Sequence, residues 1–200
     1  MSDQTITKMY NDSATAKTVV SELEARGVPH SHISIIAHDA DGVDSKGEHI
    51  AKDAGVGAGA GAALGGGAGL LAGLGMLAIP GVGPVVAAGW LVTTIAGAVA
   101  GATAGAAAGG LVGAFTDNGI SEEEAHVYAE GVRRGGAIVS VKTDDKWVGI
   151  AREVMDRGPF IDPAVRGAAY RASGWKEFDA ATPPYTPVEM QRERDLYRSE

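Results

Sequence analysis

The centre of the chain reads IPGVGP at residues 79–84, where two prolines and two glycines predict a sharp turn. The turn lies inside residues 54–116, a stretch without Lys, Arg, Asp or Glu, although the 200-residue chain has 17 Lys and Arg and 25 Asp and Glu. On each side of the turn, glycine recurs at every fourth residue. The two series are Gly57, Gly61, Gly65, Gly69 and Gly73, and then Gly97, Gly101, Gly105, Gly109 and Gly113.

Residues four apart lie on one face of a helix, and glycine on that face lets another backbone approach closely. We therefore expect two antiparallel helices, residues 56–79 and 85–115, whose glycines meet because the series mirror one another about Val85. An interior glycine lowers the stability of a helix by about 1 kcal/mol relative to alanine, and packing has to offset this loss. The residues expected to shape the turn are Pro80, Gly81, Gly83 and Pro84.

The first predicted helix also carries small residues in a second register, which faces another direction. These residues are Gly55, Gly59, Ala63 and Gly67. One hairpin cannot cover both faces, so the sequence predicts neighbouring copies and hence a homo-oligomer.

Outside this insert, the spacing of apolar residues predicts alternating strands and helices. The predicted strands are residues 5–10, 33–37, 137–142 and 160–161, and the predicted helices are 14–26, 122–134, 146–157, 163–173 and 187–198. The fold class is therefore α+β: a small ferredoxin-like or split βαβ sheet with helices on one face, interrupted by a long Gly/Ala-rich antiparallel helical hairpin that projects from one end.

Four regions follow from this division of the chain. Residues 1–53 and 117–174 form the two halves of the α+β domain, residues 54–116 form the glycine-zipper hairpin, and residues 175–200 form a C-terminal tail.

The charge and composition of the chain limit its function. A net charge of −8 and a pI near 5.1 argue against nucleic acid as a partner, since phosphate contacts need clustered Lys and Arg. Cysteine is absent, and the N-terminus has no basic segment followed by an apolar one, so we expect a location on the cytoplasmic side. His30, His32 and His38 lie close together in the sequence, and the spacing of His30 and His32 places two imidazoles on one side of an extended chain. Metal binding also needs a third ligand and a shaped site, so we expect polar residues beside a strand and no metal ion. We likewise expect no cofactor and no catalytic residues.

The flanking sequence resembles a bacterial general stress protein family, the heat-induced stress protein type with a glycine-zipper insert. The resemblance rests on segments around Thr15-Ala16-Lys17, residues 32–39, residues 118–125 and 135–141, Ser173-Gly174-Trp175 and Pro184-Tyr185-Thr186. It implies a stress-associated protein and supplies no catalytic residues.

We therefore expect a non-enzymatic stress-associated protein that homo-oligomerises through its glycine-zipper hairpin. Each predicted helix is long enough to cross a hydrocarbon core of about 30 Å, although its Gly and Ala content makes it a marginal membrane segment. So long an uncharged insert is unusual in a soluble domain, which favours a membrane-anchored assembly with a lipid bilayer as a further partner. Two alternatives remain open: a soluble cytoplasmic particle, shell or filament with the hairpins packed inside, and a membrane-remodelling or pore-forming factor.

Overall fold

The computed structural model describes residues 4–38, 74–101 and 109–197 of the chain. Six strands are present in these ranges: β1 (Gln4–Tyr10), β2 (Ile33–His38), β3 (Gly75–Ile79), β4 (Gly83–Gly89), β5 (Ala137–Thr143) and β6 (Phe160–Ile161). The α-helices of the same ranges are α1 (Ser13–Ala25), α2 (Trp90–Gly101), α3 (Gly109–Thr116), α4 (Glu122–Arg133), α5 (Asp145–Arg157), α6 (Pro163–Ala172) and α7 (Pro187–Leu196).

The strands form one sheet in the order β3-β4-β2-β5-β1-β6, and all neighbours are antiparallel. The units β1-α1-β2 and β5-α5-β6 interleave, because β5 lies between β1 and β2 while β1 lies between β5 and β6. This is the ferredoxin-like arrangement of two split βαβ units. The predicted α+β class is confirmed.

Polar side chains fix the starts of the helices at the positions that the sequence indicates. Asp12, Ser121, Asp144 and Asp162 each accept a hydrogen bond from a backbone N–H of the first turn of the following helix. Thr186 begins α7 with a complete capping box, in which Glu189 accepts from the Thr186 N–H.

The glycine-rich insert differs from the predicted pair of long helices. Residues 75–79 and 85–89, which the glycine spacing predicts to be helical, lie in strands β3 and β4, and the helix begins only at Trp90. Ile79 pairs with Gly83, so the chain reverses about Gly81 and not about Val85. The predicted turn residues Pro80 and Gly81 do form the reversal, whereas Gly83 and Pro84 are the first residues of β4.

Turn chemistry and burial explain why this region is a β-hairpin. Gly81 has φ +75°, and Val82 N–H donates to the carbonyl of Ile79 at 3.1 Å, so Pro80 and Gly81 occupy the central positions of a type II turn. Strand β4 lies inside the sheet, and Val85 and Val86 are buried on opposite faces. A strand buried on both faces reads as a continuous apolar run, which periodicity alone does not distinguish from a buried helix.

Helices cover both faces of the sheet, so the prediction of helices on one face is also corrected. Helices α1 and α5 pack on one face, where the core includes Leu23, Val139 and Met155. On the other face, α2, α3 and α4 contribute Leu91, Phe115 and Val132 to a second core. The described parts of α2 and α3 therefore belong to the domain, because Leu91, Ile95, Leu111 and Phe115 are buried in this core.

Candidate self-association surface

Helices α2 and α3 carry the described part of the glycine series, and they pack against each other. Leu91 and Ile95 of α2 are buried in the core on the second face of the sheet, and so are Leu111 and Phe115 of α3. The Phe115 ring lies 5.6 Å from the Tyr128 ring of α4, measured between centroids. These apolar residues anchor α2 and α3 on the α+β domain.

The structure places four of the ten predicted zipper glycines in these helices, namely Gly97 and Gly101 in α2 and Gly109 and Gly113 in α3. The others and the second packing face lie outside the described residues. They are Gly57, Gly61, Gly65, Gly69, Gly73 and Gly105, together with Gly55, Gly59, Ala63 and Gly67.

Gly113 differs from the glycines whose lack of a side chain the fold requires. A Cβ atom at Gly131 would overlap the sulfur of Met9, and one at Gly167 would lie 2.9 Å from Val127 Cγ2. A Cβ at Gly113 would meet no atom of the described residues within 4 Å. The described part of the domain therefore does not need a glycine at position 113.

The C-terminal segment, residues 175–197, lies on the same side of the sheet as helices α2, α3 and α4 and holds the β3–β4 turn in place. A Cβ at Gly81 would lie 2.5 Å from the Cα of Ala180, so the segment passes directly over the turn. The backbone N–H of Phe178 donates to His126 Nδ1 at 3.1 Å. Met190 of α7 is fully buried against Gly135, which completes the attachment of the segment predicted to be a tail.

A buried cluster of charged residues holds α7 in place. The carboxylate of Glu130 is completely buried and accepts from Arg133 Nε at 2.9 Å, from Arg133 Nη2 at 2.6 Å and from Arg134 Nε at 2.5 Å. Arg134 Nη1 continues to Glu193 Oε1 on α7 at 2.7 Å. Buried arginines are stable only when such hydrogen bonds compensate for lost hydration. The cluster therefore connects α4 to the C-terminal segment.

Tyrosine rings complete the charged cluster. The guanidinium of Arg134 lies 4.1 Å from the centre of the Tyr170 ring, and that of Arg166 lies 3.7 Å from the centre of the Tyr197 ring. Burial lowers the pKa of Arg134, but its hydrogen bonds to Glu193 and Glu130 outweigh that effect and leave the pKa raised. Burial also raises the pKa of the Tyr170 hydroxyl. The arginine therefore stays charged and the tyrosine stays neutral in the physiological range.

Sequence reasoning missed this cluster, although part of its pattern is readable. Glu130 stands three and four residues before Arg133 and Arg134, the spacing of ion pairs on one helix face. Nothing in the sequence indicates that Glu193 joins them, since that contact depends on the path of the C-terminal segment. The ring centre of Tyr185 lies 5.1 Å and 5.3 Å from the guanidinium carbons of Arg133 and Arg134.

A surface cleft of about 320 Å³ lies where β2 begins and β5 ends. Trp90 Nε1 donates to the carbonyl of His32 at 3.1 Å, and His32 Nδ1 lies 3.1 Å from Thr143 Oγ1. Lys142 lies beside the indole of Trp90, with its ammonium 5.6 Å from the ring centre. Because Lys142 is exposed, the cleft is open to solvent.

The histidines considered as metal ligands are separated by their local structure. His30 and His32 lie in a 3-10 turn, and His38 ends strand β2, where it is buried. Across residues 4–38, 74–101 and 109–197, no three His, Cys, Asp or Glu residues are grouped as a metal ion requires.

Residues 5–78 match the family model described as the heat induced stress protein YflT domain. No curated protein and no solved structure matches the chain. The match covers β1, α1, β2, the first glycine series and most of β3. The match supports the resemblance to a general stress protein family and a stress-associated role.

Proposed function

We propose that this chain is a non-enzymatic, stress-associated protein that assembles with copies of itself through its glycine-bearing insert. The observation that carries the proposal is the position of Gly113 on α3. The family match to residues 5–78 supports the association with stress.

Gly113 differs in its packing from other glycines inside helices. Each such glycine costs about 1 kcal/mol relative to alanine. Gly131 and Gly167 recover this cost because Met9 and Val127 pack against them. At Gly113 no described atom does so, and the residue belongs to a regular series of glycines on one helix face. We assign the missing contact to a second copy of the chain.

Charge also favours association between copies at this surface. The net charge of −8 comes entirely from residues outside 54–116, so two copies can meet there without bringing like charges together. Small residues on facing helices allow close backbone approach, which maximises van der Waals contact between uncharged surfaces.

The assembly has two candidate environments. Across the described ranges, which leave out residues 39–73 and 102–108, no helix is long and apolar enough to cross a membrane. Two assays distinguish anchoring from the cytoplasmic side of a membrane, assembly without lipid, and pore formation. In the first, a detergent-free lysate is floated on a density gradient. In the second, the purified protein is added to dye-loaded vesicles. Flotation identifies the anchored form, a dense particle identifies the lipid-free form, and dye release identifies the pore.

Self-assembly itself is tested by replacing Gly113 with leucine. A Cβ atom at Gly113 meets no described atom within 4 Å, so we expect Gly113→Leu to keep the fold and to block the approach of another copy. Gly149→Leu is the matched control, because Gly149 is also inside a helix without a neighbour within 4 Å, but it stands alone on α5.

Particle mass is measured by light scattering after size-exclusion chromatography. We expect wild type and Gly149→Leu to be oligomers of the same mass and Gly113→Leu to be smaller. A monomeric wild type, or a Gly113→Leu protein with unchanged mass, contradicts the proposal.

A further inference from the structure

Strand β3 is an open edge of the sheet among the described residues, because β4 pairs with one of its sides and no described strand pairs with the other. Met76 is 66% exposed, and Gly75 and Ala78 are also exposed. The strand contains no charge and no proline. An edge strand of this kind is a template for another strand, and natural proteins usually protect such edges with charges, prolines or a cover.

The opposite edge of the sheet is protected in the usual ways. Strand β6 has only two residues, and the Lys8 ammonium lies 3.8 Å from the centre of the Phe160 ring. Very short strands and lysine side chains both discourage pairing with another chain. Among the described residues, the β6 edge is therefore protected against pairing with another chain and the β3 edge is not.

The register of the hairpin determines which backbone groups of β3 point outward. Pro84 has no N–H, so its pair with Ala78 is not a hydrogen-bonded pair. Pairs alternate along an antiparallel ladder, so Leu77 exchanges hydrogen bonds with Val85 while Met76 does not exchange them with Val86. The N–H and C=O groups of Met76 and Ala78 are therefore directed toward the open edge.

We infer that β3 pairs antiparallel with β3 of a second copy. This pairing adds a second, backbone-mediated interface to the proposed self-association. The inference rests on the proposed function for the identity of the partner. With Leu77 at the two-fold axis, Met76 of each copy lies opposite Ala78 of the other. The outward N–H and C=O groups of both residues are then satisfied, and the sheet continues across the two molecules.

Charge identifies a second copy as the occupant of this edge. The chain is strongly acidic, so two molecules repel one another over most of their surfaces. Residues 74–101, which include β3 and β4, carry no charge, so two β3 strands meet without like charges on the strands themselves. An acidic or basic peptide finds no complementary charge there, whereas β3 of another copy matches both its neutrality and the spacing of its outward groups.

A single cysteine in place of Leu77 tests the register directly. The natural chain has no cysteine, so Leu77→Cys forms only intermolecular disulfides. At the two-fold axis, the introduced thiols of two copies lie opposite each other in a non-hydrogen-bonded pair, about 4.5 Å apart between Cα atoms, within disulfide range. Leu77 is only half-buried, and Val188→Cys is the control for cross-linking by random collision, since Val188 is 61% exposed and lies on α7.

Met76→Lys and Ala78→Pro test the same edge without a cross-link. The first places a charge on the edge, and the second removes an outward N–H while leaving the ladder to β4 intact. Val188→Lys is the charge-matched control. Sedimentation velocity should show dimerisation at least about tenfold weaker for both edge variants than for wild type and the control. Near-UV circular dichroism checks that each variant is folded.

The outcomes separate this interface from the glycine-mediated one. Rapid oxidation of Leu77→Cys to a dimer, together with weaker association of the edge variants, supports β3 pairing even if Gly113→Leu has no effect. Cross-linking no faster than for Val188→Cys, or unchanged association of Met76→Lys and Ala78→Pro, overturns β3 pairing even if Gly113→Leu abolishes assembly.

Discussion

Arg134, the residue that caps the end of helix α4, has its Nη1 atom 2.7 Å from Glu193 Oε1 of helix α7, and the two side chains are only 9% and 13% exposed. The same guanidinium donates to Glu130 through its Nε atom. Arg134 thus lies between a buried carboxylate of α4 and a carboxylate of the C-terminal segment. This arrangement fixes the C-terminal segment on the layer that also contains α2 and α3.

Removing the charge of Glu193 should loosen the C-terminal segment. In Glu193→Gln, Arg134 keeps Glu130 but loses a charged hydrogen bond, worth about 1.5–3 kcal/mol in a largely buried setting. Urea denaturation should show lower stability than for wild type, and limited proteolysis should cut residues 175–197 earlier. The exposed Glu177 provides the control, and Glu177→Gln should behave like wild type.

Removing Glu130 should cost more, because two buried arginines depend on it. Glu130→Ala leaves Arg133 without the carboxylate that pairs with its Nε and Nη2 atoms, and it leaves Arg134 with Glu193 alone. Breaking a buried ion pair by removing one partner costs about 3–5 kcal/mol. The midpoint of chemical denaturation should fall further than for Glu193→Gln. An equal or smaller fall would mean that Glu130 contributes no more to the stability of the domain than Glu193 does.

The strands and capped helices outside the insert could be predicted because their signals are local. The sequence of β5 alternates in the manner of a strand, and the residues Asp12 and Asp162 mark where helices begin. The helical prediction for the β3–β4 hairpin was wrong because β4 is buried on both faces, and its valines and alanines fit a strand or a helix equally well.

The long-range contacts of the C-terminal segment were not predictable from the sequence. Ala180 packs on Gly81, and Glu193 pairs with Arg134, at separations along the chain that no periodic pattern encodes. Of the candidate site, the four glycines in α2 and α3 were found by their spacing. The open edge at β3 was not found, because its existence depends on the same hairpin that was interpreted as two helices.

The pH dependence of the C-terminal segment should follow Glu189. Its carboxylate accepts hydrogen bonds from the Thr186 N–H and hydroxyl, and these lower its pKa below the ordinary value of 4.5. A lowered pKa in the folded state adds stability that is complete above the ordinary value and is lost as the pH falls through the lowered one. Protease cleavage near α7 should therefore accelerate below about pH 4.5.

Glu189→Gln is the control for this pH effect. The variant lacks the titrating group and so should lose the part of the acid dependence that arises from the capping box. If wild type and variant show the same pH profile of cleavage, another group is responsible for the acid sensitivity of the segment.

Gly81 and Gly119 form a matched pair that isolates the contact between the hairpin turn and the C-terminal segment. Both have positive φ, +75° and +87°, so alanine at either position has a similar conformational cost of about 1–2 kcal/mol. A Cβ at Gly119 meets no described atom within 4 Å, whereas one at Gly81 lies 2.5 Å from the backbone of Ala180. Gly81→Ala should therefore be destabilised more than Gly119→Ala in urea. It should also expose residues 175–197 to protease, because backbone cannot move aside as a flexible side chain does. Equal destabilisation without faster cleavage would mean that the segment does not hold the turn in solution.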